Sequence, residues 1–565
     1  MKKIFLLFSL VSLVLISCNN KSDQKKTYNE MEKQFIEFAE KHEAVTQPIY
    51  RSLCDAYFRA SVSGDENEYR EAAEYELEYT KVYTNKEDYE FLNKLKKSGK
   101  IEDEILKREL DVLLNSYLSN QAEPEVLEAM INKSSEIEMK YSTFRAVING
   151  KEVSDNDIEE ILSTSKNSEE VKNAWLEVKK LGPVVADDII TLVKMRNDLA
   201  VSLGYDNYHE MSLKLSDQDP YEIDKIFDEL DNLTRGSFAE LKEEIDIYLV
   251  NKFNIKKEEL RPWHYQDRFF QEAPALYEID LDSYYKDQDI EKLTKDYYAS
   301  IGMDITDMLA NSDLYEKEKK NQHAYCINVD REGDIRVLCN IKPNSKWMNT
   351  MLHEFGHAVY DKYIDKDLPF VLRDPAHTFT TEAIAMLFGR LASNAQWMQD
   401  MLHISDEEKE SIAELSFKSL RLEQLVFSRW VQVMYRFEKS LYENPDQDLN
   451  TLWWDLVEKY QMVKCPEDRN MPDWATKTHI ATSPCYYHNY LLGELLASQL
   501  NHYISVNICK SDDYNMQSFY SNKEVGKYLM EKVFFPGAKW YWNDMIEKAT
   551  GEKLTAKYYA MQFVE

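Results

Sequence analysis

The apolar positions of this chain fall mainly into helical patterns. From about residue 30 to 320, amphipathic segments follow one another between short polar turns, and helical periodicity returns over 376–392, 405–445 and 486–508. Residues 323–328 and 335–340 instead read as two strands around a turn at 331–334. No period of 20 to 50 residues recurs, which argues against a solenoid. We predict a mostly α fold: a large, two-lobed, multi-helix unit with a deep central cleft and a small β-hairpin.

The first 30 residues have a different character. The apolar run 4–17 follows Lys2-Lys3 and is too short to span a bilayer comfortably, which is typical of a secretion signal. Its end, Leu15-Ile16-Ser17-Cys18, resembles a bacterial lipoprotein lipobox, and this implies cleavage before Cys18 and lipid attachment to its thiol. We predict a signal peptide over 1–17, a lipid-anchored polar tether over 18–30 and one helical domain over 31–565, held at an extracytoplasmic face of a bacterial membrane. An ordinary secreted protein is the alternative.

Composition narrows the class of partner. Glycine and proline number only 14 each among 565 residues, well below average usage, which favours helix. The formal net charge of −32 disfavours nucleic acid and anionic lipid surfaces. We therefore expect no nucleic-acid partner, and membrane contact through the N-terminal lipid only.

Two histidines at helical spacing carry the strongest chemical signal. His353 and His357 lie four residues apart in His353-Glu354-Phe355-Gly356-His357, so a helix projects both imidazoles from one face, one turn apart. Pro343-Asn344-Ser345 supplies a plausible helix start. Neutral imidazoles suit Zn²⁺ with one position left for water, and Glu354 stands beside that position. The pattern predicts a zinc hydrolase.

A zinc protease needs a third protein ligand. Tyr360 and Tyr363 occupy the positions where a metzincin has glycine and histidine, so that class is excluded. Glu382, at the start of a helix rich in small residues, provides the gluzincin arrangement, in which the third ligand comes from a second helix. Four carboxylates closer in sequence remain as alternatives: Asp361, Asp365, Asp367 and Asp374.

The predicted hairpin contains two of the cysteines. A two-residue turn at Glu332-Gly333 would place Cys326 directly opposite Cys339, within disulfide distance. The other cysteines after Cys18 are too sparse for a disulfide scaffold. We predict one disulfide, Cys326–Cys339.

Several short runs together resemble the angiotensin-converting-enzyme family of zinc peptidyl-dipeptidases. They are spread over some 350 residues and are specific as a set: His353-Glu354-Phe355-Gly356-His357, Lys366-Asp367-Leu368-Pro369-Phe370-Val371-Leu372-Arg373, Glu382-Ala383-Ile384, Gln322-His323-Ala324, Trp453-Trp454-Asp455-Leu456 and Lys477-Thr478-His479-Ile480. The resemblance implies a gluzincin that releases dipeptides from short peptides with a free C-terminal carboxylate.

The resemblance also assigns roles to residues. It implies one zinc ion on His353, His357 and Glu382, with Glu354 as the general base for a zinc-activated water. It implies that His479 and Tyr490 stabilise the oxyanion, although Tyr486 remains a rival because the alignment needs an inserted residue. The implied substrate-binding residues are His323 and Ala324 for the peptide backbone and Lys477, Tyr487 and Gln266 for the terminal carboxylate.

Departures from the family pattern lead to further expectations. Val457 and Asn489 stand where chloride-dependent members carry arginine, so we expect chloride not to be required. Met386 replaces a family aspartate, so the groups that orient the zinc ligands must differ. Two alternative functions remain open: an oligopeptidase or carboxypeptidase related to thimet oligopeptidase, and a catalytically inactive peptide-binding lipoprotein.

Overall fold

The computed structural model describes residues 27–277 and 279–564, and it confirms the mostly α fold. The predicted signal peptide, Cys18 and most of the tether lie outside the described residues. The α-helices are α1 (Glu30–Ser63), α2 (Glu66–Tyr83), α3 (Lys86–Ser98), α4 (Glu104–Ser119), α5 (Pro124–Thr143), α6 (Asp155–Thr164), α7 (Ser168–Lys179), α8 (Leu181–Ser202), α9 (Tyr208–Leu215), α10 (Pro220–Phe253), α11 (Asp282–Tyr285), α12 (Ile290–Ser300), α13 (Thr306–Asn311), α14 (Ser345–Lys362), α15 (Thr378–Gly389), α16 (Ala395–Leu402), α17 (Asp406–Glu443), α18 (Leu449–Gln461), α19 (His479–Thr482), α20 (His488–Tyr503), α21 (Lys523–Leu529), α22 (Trp542–Thr550) and α23 (Lys557–Phe563). The strands are β1 (Ala146–Ile148), β2 (Lys151–Val153), β3 (Tyr325–Asn328) and β4 (Ile335–Leu338), paired as two antiparallel hairpins.

The helices pack around one large core and one small core. The large core is continuous from Ile137 to Phe563. The small core lies among α1, α3 and α4 and includes Phe35, Leu92 and Tyr117. Val371 packs against both cores, so the N-terminal helices rest on the loop that joins α14 to α15. Within the described ranges, no helix combines the length and apolarity needed to cross a bilayer.

Helix α14 begins at the predicted start and presents two different faces. The Asn344 side chain accepts a hydrogen bond from the Trp347 backbone N–H at 2.9 Å, which satisfies one of the free donors at the helix start. Met351, Leu352 and Phe355 are fully buried. The histidines leave the helix on the neighbouring, partly open face, because a four-residue step returns to nearly the same side. The apolar face therefore fixes the direction in which the imidazoles point.

Glycines allow α14 and α15 to approach closely. A Cβ added at Gly356 would stand 2.8 Å from the Ala385 Cα and 3.3 Å from the Ile384 carbonyl oxygen. At the far end of α15, a Cβ added at Gly389 would meet the Cβ of His353 at 3.4 Å. The backbones are in contact along this crossing, and the metal-ligand candidates on the two helices are therefore held side by side.

The predicted hairpin is present as β3 and β4 and packs against α14, but its predicted register is wrong. Cys326 pairs with Val337, two residues from the expected partner Cys339, and both thiols are free. The Asp330 side chain accepts hydrogen bonds from the N–H groups of the residues at 332, 333 and 334. This interaction closes a six-residue loop in place of the two-residue turn, and it shifts every pair along the ladder.

Candidate active site

The geometry of the predicted metal ligands fits a tetrahedral zinc site. The Oε2 atom of Glu382 lies 3.7 Å from Nε2 of His353 and 3.8 Å from Nε2 of His357. A tetrahedral ion with bonds of about 2.0–2.1 Å separates its ligand atoms by about 3.3–3.5 Å. All three ligand atoms lie within 4.8 Å of one another, and no other cluster in the described part of the chain meets this criterion. The nearer aspartates are therefore not needed as ligands.

Protonation and hydrogen bonding also suit metal binding. Burial lowers the pKa of His353 to about 4 and that of His357 well below its usual range, so both rings are neutral at pH 7 and keep a lone pair. The Nδ1 atom of His357 lies 2.7 Å from the Thr381 hydroxyl, which leaves Nε2 facing Glu382. Thr381 precedes Glu382 on α15, so one helical turn supplies both a ligand and the partner that orients another ligand.

Glu354 is the buried acid beside these ligands. Its side chain is 7% exposed and accepts a hydrogen bond from the backbone N–H of Cys326 in β3. Burial, together with the charge of Glu382, raises the pKa of Glu354 to about 8. A divalent cation held beside it opposes that shift by favouring the carboxylate. The hydrogen bond to β3 holds this carboxylate in place, as a general base requires.

The strand that holds Glu354 also carries the predicted backbone-binding residues. His323 and Ala324 immediately precede β3; His323 is exposed, Ala324 is partly buried, and the His323 backbone N–H donates to the Asn321 side chain at 3.0 Å. Their position at the start of a two-stranded sheet leaves them able to meet an extended peptide, although their role stays a prediction.

Lys477 is a buried cation that forms no ion pair with a described carboxylate, although the charges of Asp267 and Glu272 act on it from further away. The residue is 8% exposed, and its Nζ donates to the amide oxygen of Gln271 at 2.5 Å. The ammonium also lies over three aromatic rings: Phe269 at 5.4 Å, Trp430 at 5.3 Å and Tyr487 at 5.2 Å. No carboxylate of the described residues is within 4.0 Å of it. Burial lowers its pKa to about 8. Such a group is suited to receive an anion from outside the chain.

Gln266 lines the Lys477 cavity, but its side chain is held by backbone groups, and its role in carboxylate binding stays a prediction. Its side-chain nitrogen donates to the backbone oxygen of Ser163 at 2.6 Å, and its side-chain oxygen accepts from the Ala275 N–H at 3.2 Å. Gln266 lines the same cavity as Lys477, but Gln271 makes the contact with the ammonium. Asp267 accepts hydrogen bonds from the backbone N–H groups of Phe269, Gln271 and Glu272 and folds 267–272 into a compact loop, which local sequence patterns did not predict.

His479 borders both the Lys477 cavity and the tyrosines. Its ring centroid is 5.1 Å from that of Tyr487, and its buried Nδ1 has no hydrogen-bond partner among the described residues. Burial, then the charge of Lys477, lowers the pKa of His479 to about 4. At neutral pH it is an uncharged ring whose N–H can donate to a developing oxyanion.

The tyrosines occupy two different environments. The Tyr487 hydroxyl accepts from the Trp430 indole N–H at 2.9 Å and lies on the Lys477 side. The ring centroid of Tyr490 is 5.4 Å from that of Tyr487. Burial, and then the charges of Tyr486 and Glu382, raise the pKa of Tyr490. Burial and the charge of Glu382 also raise the pKa of Tyr486, but the Tyr486 hydroxyl is hydrogen-bonded to Thr378. The freer hydroxyl of Tyr490 favours it over Tyr486 as the oxyanion donor, and the assignment stays a prediction.

Val457 and Asn489, which stand where chloride-dependent family members carry arginine, lie in two separate environments. Val457 lines a small aromatic cavity that also contains Lys179, whose ammonium is 3.5 Å from the centroid of the Phe269 ring. Asn489 accepts a hydrogen bond from the buried Gln218 amide at 2.7 Å, and Gln218 in turn contacts His488. Lys179 stands at neither of the two family arginine positions, so no sequence motif pointed to it. The expectation that the protein does not require chloride therefore stays a prediction.

Two neutral imidazoles one turn apart, a carboxylate from the adjoining helix and a buried glutamate beside them define a zinc metallopeptidase of the gluzincin type. A family model described as angiotensin-converting enzyme matches residues 29–256 and 272–564. The chain belongs to this family of peptidases. Residues 257–271, between the matched ranges, include Gln266 and most of the loop that Asp267 organises.

Individual relatives are more distant. The chain is 22% identical over 451 residues to an angiotensin-converting enzyme of Haematobia irritans exigua, covering 72% of each protein. It is 24% identical over 265 residues to carboxypeptidase 1 of Bacillus subtilis, covering 42% of this chain and 50% of that protein. It is also 22% identical over 208 residues to an inactive angiotensin-converting enzyme-related protein of Caenorhabditis elegans, covering 35% and 22%. These relatives include two kinds of peptidase and an inactive protein, so the cleavage pattern of this chain has to be inferred from the geometry of its site.

Proposed function

We propose that this enzyme is a peptidyl-dipeptidase, a zinc metallopeptidase that removes dipeptides from the free C-terminus of short peptides. The observation that supports this most directly is Lys477, a buried ammonium whose hydrogen-bond partner is the neutral amide of Gln271. A terminal carboxylate would give the ammonium a direct ion-pair partner, and the Tyr487 ring lies beside it. The anchor shares a cavity with His479, so the scissile bond would lie a short, fixed distance upstream.

The residues divide the reaction among themselves. His353, His357 and Glu382 would hold Zn²⁺, which when bound supplies Lewis acidity for the attacking water and the carbonyl. Glu354 takes the proton from the attacking water and passes it to the leaving amine. His479 and Tyr490 donate hydrogen bonds to the oxyanion, and loss of one such donor typically costs about 10²–10³ in rate. His323 and Ala324 align the peptide backbone.

The main alternative is a carboxypeptidase that releases single residues, which the similarity to carboxypeptidase 1 supports. It would use the same metal chemistry with the carboxylate held one residue closer to the scissile bond. Cleavage at internal positions, as in an oligopeptidase, would not require Lys477. A catalytically inactive role is disfavoured because His353, His357 and Glu382 converge and Glu354 is in place.

Mass spectrometry of an N-acetylated tetrapeptide digest separates these functions. We expect a dipeptide product with the purified enzyme and none after treatment with a zinc chelator. A C-terminally amidated copy of the peptide is the matched control and should be cleaved at least about tenfold more slowly, since the charge-assisted contact with Lys477 is lost. Single-residue products would support the carboxypeptidase, and equal cleavage of acid and amide would reject the anchor.

We also propose that the enzyme works without chloride and is anchored outside the cytoplasm through lipidated Cys18. For chloride, activity in sodium acetate and sodium chloride at equal ionic strength should agree within about twofold, and a large activation by chloride would contradict the proposal. For the anchor, a Cys18→Ser variant should lose incorporation of labelled fatty acid and leave the membrane fraction. An unlabelled wild-type protein would reject this anchor.

A further inference from the structure

A second cavity, with a volume of about 310 Å³, lies at the C-terminal end of α15. None of its lining residues is a metal-ligand candidate or borders the Lys477 cavity. Leu387 of α15 lines it, and a five-residue step along a helix turns this side chain roughly 140° away from Glu382. Its volume is at the lower end of the range of about 300–1,000 Å³ that small-molecule sites occupy. The cavity is therefore separate from the zinc site and large enough to hold a ligand.

The wall of this cavity is mostly apolar and carries no free charge. Its two charged residues are Arg390 and Glu414. Arg390 forms an ion pair with Glu494 of α20. Glu414, which is exposed at the edge, lies 2.5 Å from the Lys418 ammonium. A charged ligand would find no free counter-charge here, so the expected ligand is uncharged. The large apolar lining residues come from α15 and the turn after it, from α17 and from the segment after α20: Leu387, Leu391, Phe417, Leu420, Met516 and Phe519.

Three polar side chains of the wall have no hydrogen-bond partner among the described residues. Ser416 and Gln562 are only 7% and 6% exposed, yet the hydroxyl of Ser416 and the amide of Gln562 are both unpaired. The side-chain oxygen of Asn515 is buried and unpaired as well. Ser416 lies between Ala413 and Leu420 on the face of α17 that lines the cavity. Buried polar groups are normally paired, so these three groups together indicate that the cavity accepts a polar partner.

We propose that this cavity binds an apolar amino-acid side chain together with a neighbouring uncharged peptide group. A side-chain amide has N–H donors and an acceptor oxygen, and a peptide group has one of each, so the two can pair in both directions. Gln562 and Asn515 supply two such amides, and the Ser416 hydroxyl can donate or accept. The apolar wall takes the side chain. The occupant is an internal residue of a peptide, because a terminal residue would bring a charge without a counter-charge. This inference makes no assumption about which bond the enzyme cleaves.

The test is calorimetric titration of the zinc-loaded full chain with N-acetyl-leucine N-methylamide, which has two peptide groups, an apolar side chain and no charge. A Kd on the order of 1 mM is expected for an uncharged ligand of this size. N-acetyl-glycine N-methylamide has the same peptide groups without the side chain. It should bind at least about tenfold more weakly, because the leucine side chain is what the apolar wall buries.

Two variants locate the binding and keep the test independent of folding. Ala413→Leu fills the cavity and should abolish binding, while the Tm stays unchanged or rises because a filled cavity gains contacts. Ala73→Leu makes the same change on the exposed face of α2 and should leave the affinity unchanged. Gln562→Met keeps the length of the side chain and removes its amide. It should weaken binding about two- to tenfold without lowering the Tm, because the amide is unpaired in the free protein.

Three results would overturn the inference. The first is no saturable heat at a ligand concentration ten times the expected Kd. The second is wild-type affinity in Ala413→Leu, which would place the ligand elsewhere on the molecule. The third is a lower Tm with unchanged affinity in Gln562→Met, which would assign the amide to the stability of the fold. All three measurements are independent of peptide cleavage, so they leave the proposed function untouched.

Discussion

Gly356→Ala tests whether the close crossing of α14 and α15 sets the zinc site. The new methyl group would stand 2.8 Å from the Ala385 Cα, whereas ordinary contacts begin at about 3.4 Å. The helices must therefore move apart by about 0.6 Å. Metal–ligand distances tolerate only about 0.2 Å, so Glu382 on the displaced helix can no longer complete the ligand set without strain.

Gly356→Ala should lower both the unfolding free energy of the metal-free protein and its affinity for zinc. Overpacking typically costs about 1–3 kcal/mol, and the higher helix propensity of alanine returns up to about 1 kcal/mol, so the metal-free protein should lose about 0–2 kcal/mol of unfolding free energy. Zinc affinity, measured by competition with a chelator, should fall by at least about tenfold. The loss of affinity is therefore larger than the loss of stability predicts.

Two control substitutions isolate the cause. A Cβ at Gly236, inside α10, meets nothing within 4 Å, so Gly236→Ala should leave zinc binding unchanged and raise stability slightly. A Cβ at Gly182 on α8 would clash with the Pro472 backbone, far along the chain from the ligands, so Gly182→Ala should lower stability without changing zinc affinity. Wild-type zinc affinity and wild-type stability of the metal-free Gly356→Ala protein would refute the reasoning.

Three further predictions concern the chemistry. Glu354→Gln should lower kcat by at least about 10³ while zinc stoichiometry stays at one, and preserved turnover would exclude Glu354 as the base. Thr381→Val removes the 2.7 Å contact with His357 and should weaken zinc binding about 10- to 100-fold, whereas Thr381→Ser should restore it. Lys477 is protonated below its pKa of about 8, so KM for free-acid peptides should rise about tenfold from pH 7 to 9 while KM for amidated peptides changes little; parallel changes would contradict the assignment.

Local patterns were enough to locate the metal site. The four-residue spacing of His353 and His357 acts within one helix, and the start of α14 at Asn344 depends only on adjacent residues. The start of the small-residue helix at Glu382 was also visible, and so was the hairpin as an element. These features depend on interactions between residues close in sequence, so they can be predicted from local sequence patterns.

Contacts between distant segments were decided by the fold. The strand register that separates Cys326 from Cys339 depended on the hydrogen bonds that Asp330 accepts from its own loop. The hydrogen-bond partner of Lys477 depended on a second loop, which Asp267 organises 210 positions earlier in the chain. The hydrogen bond from Cys326 to Glu354 joins a strand to a helix. By itself the sequence determined which side chains carry the zinc chemistry. Only the tertiary structure decided which neighbours tune them, because side chains far apart along the chain meet only after packing fixes the geometry of the loops and helix crossings.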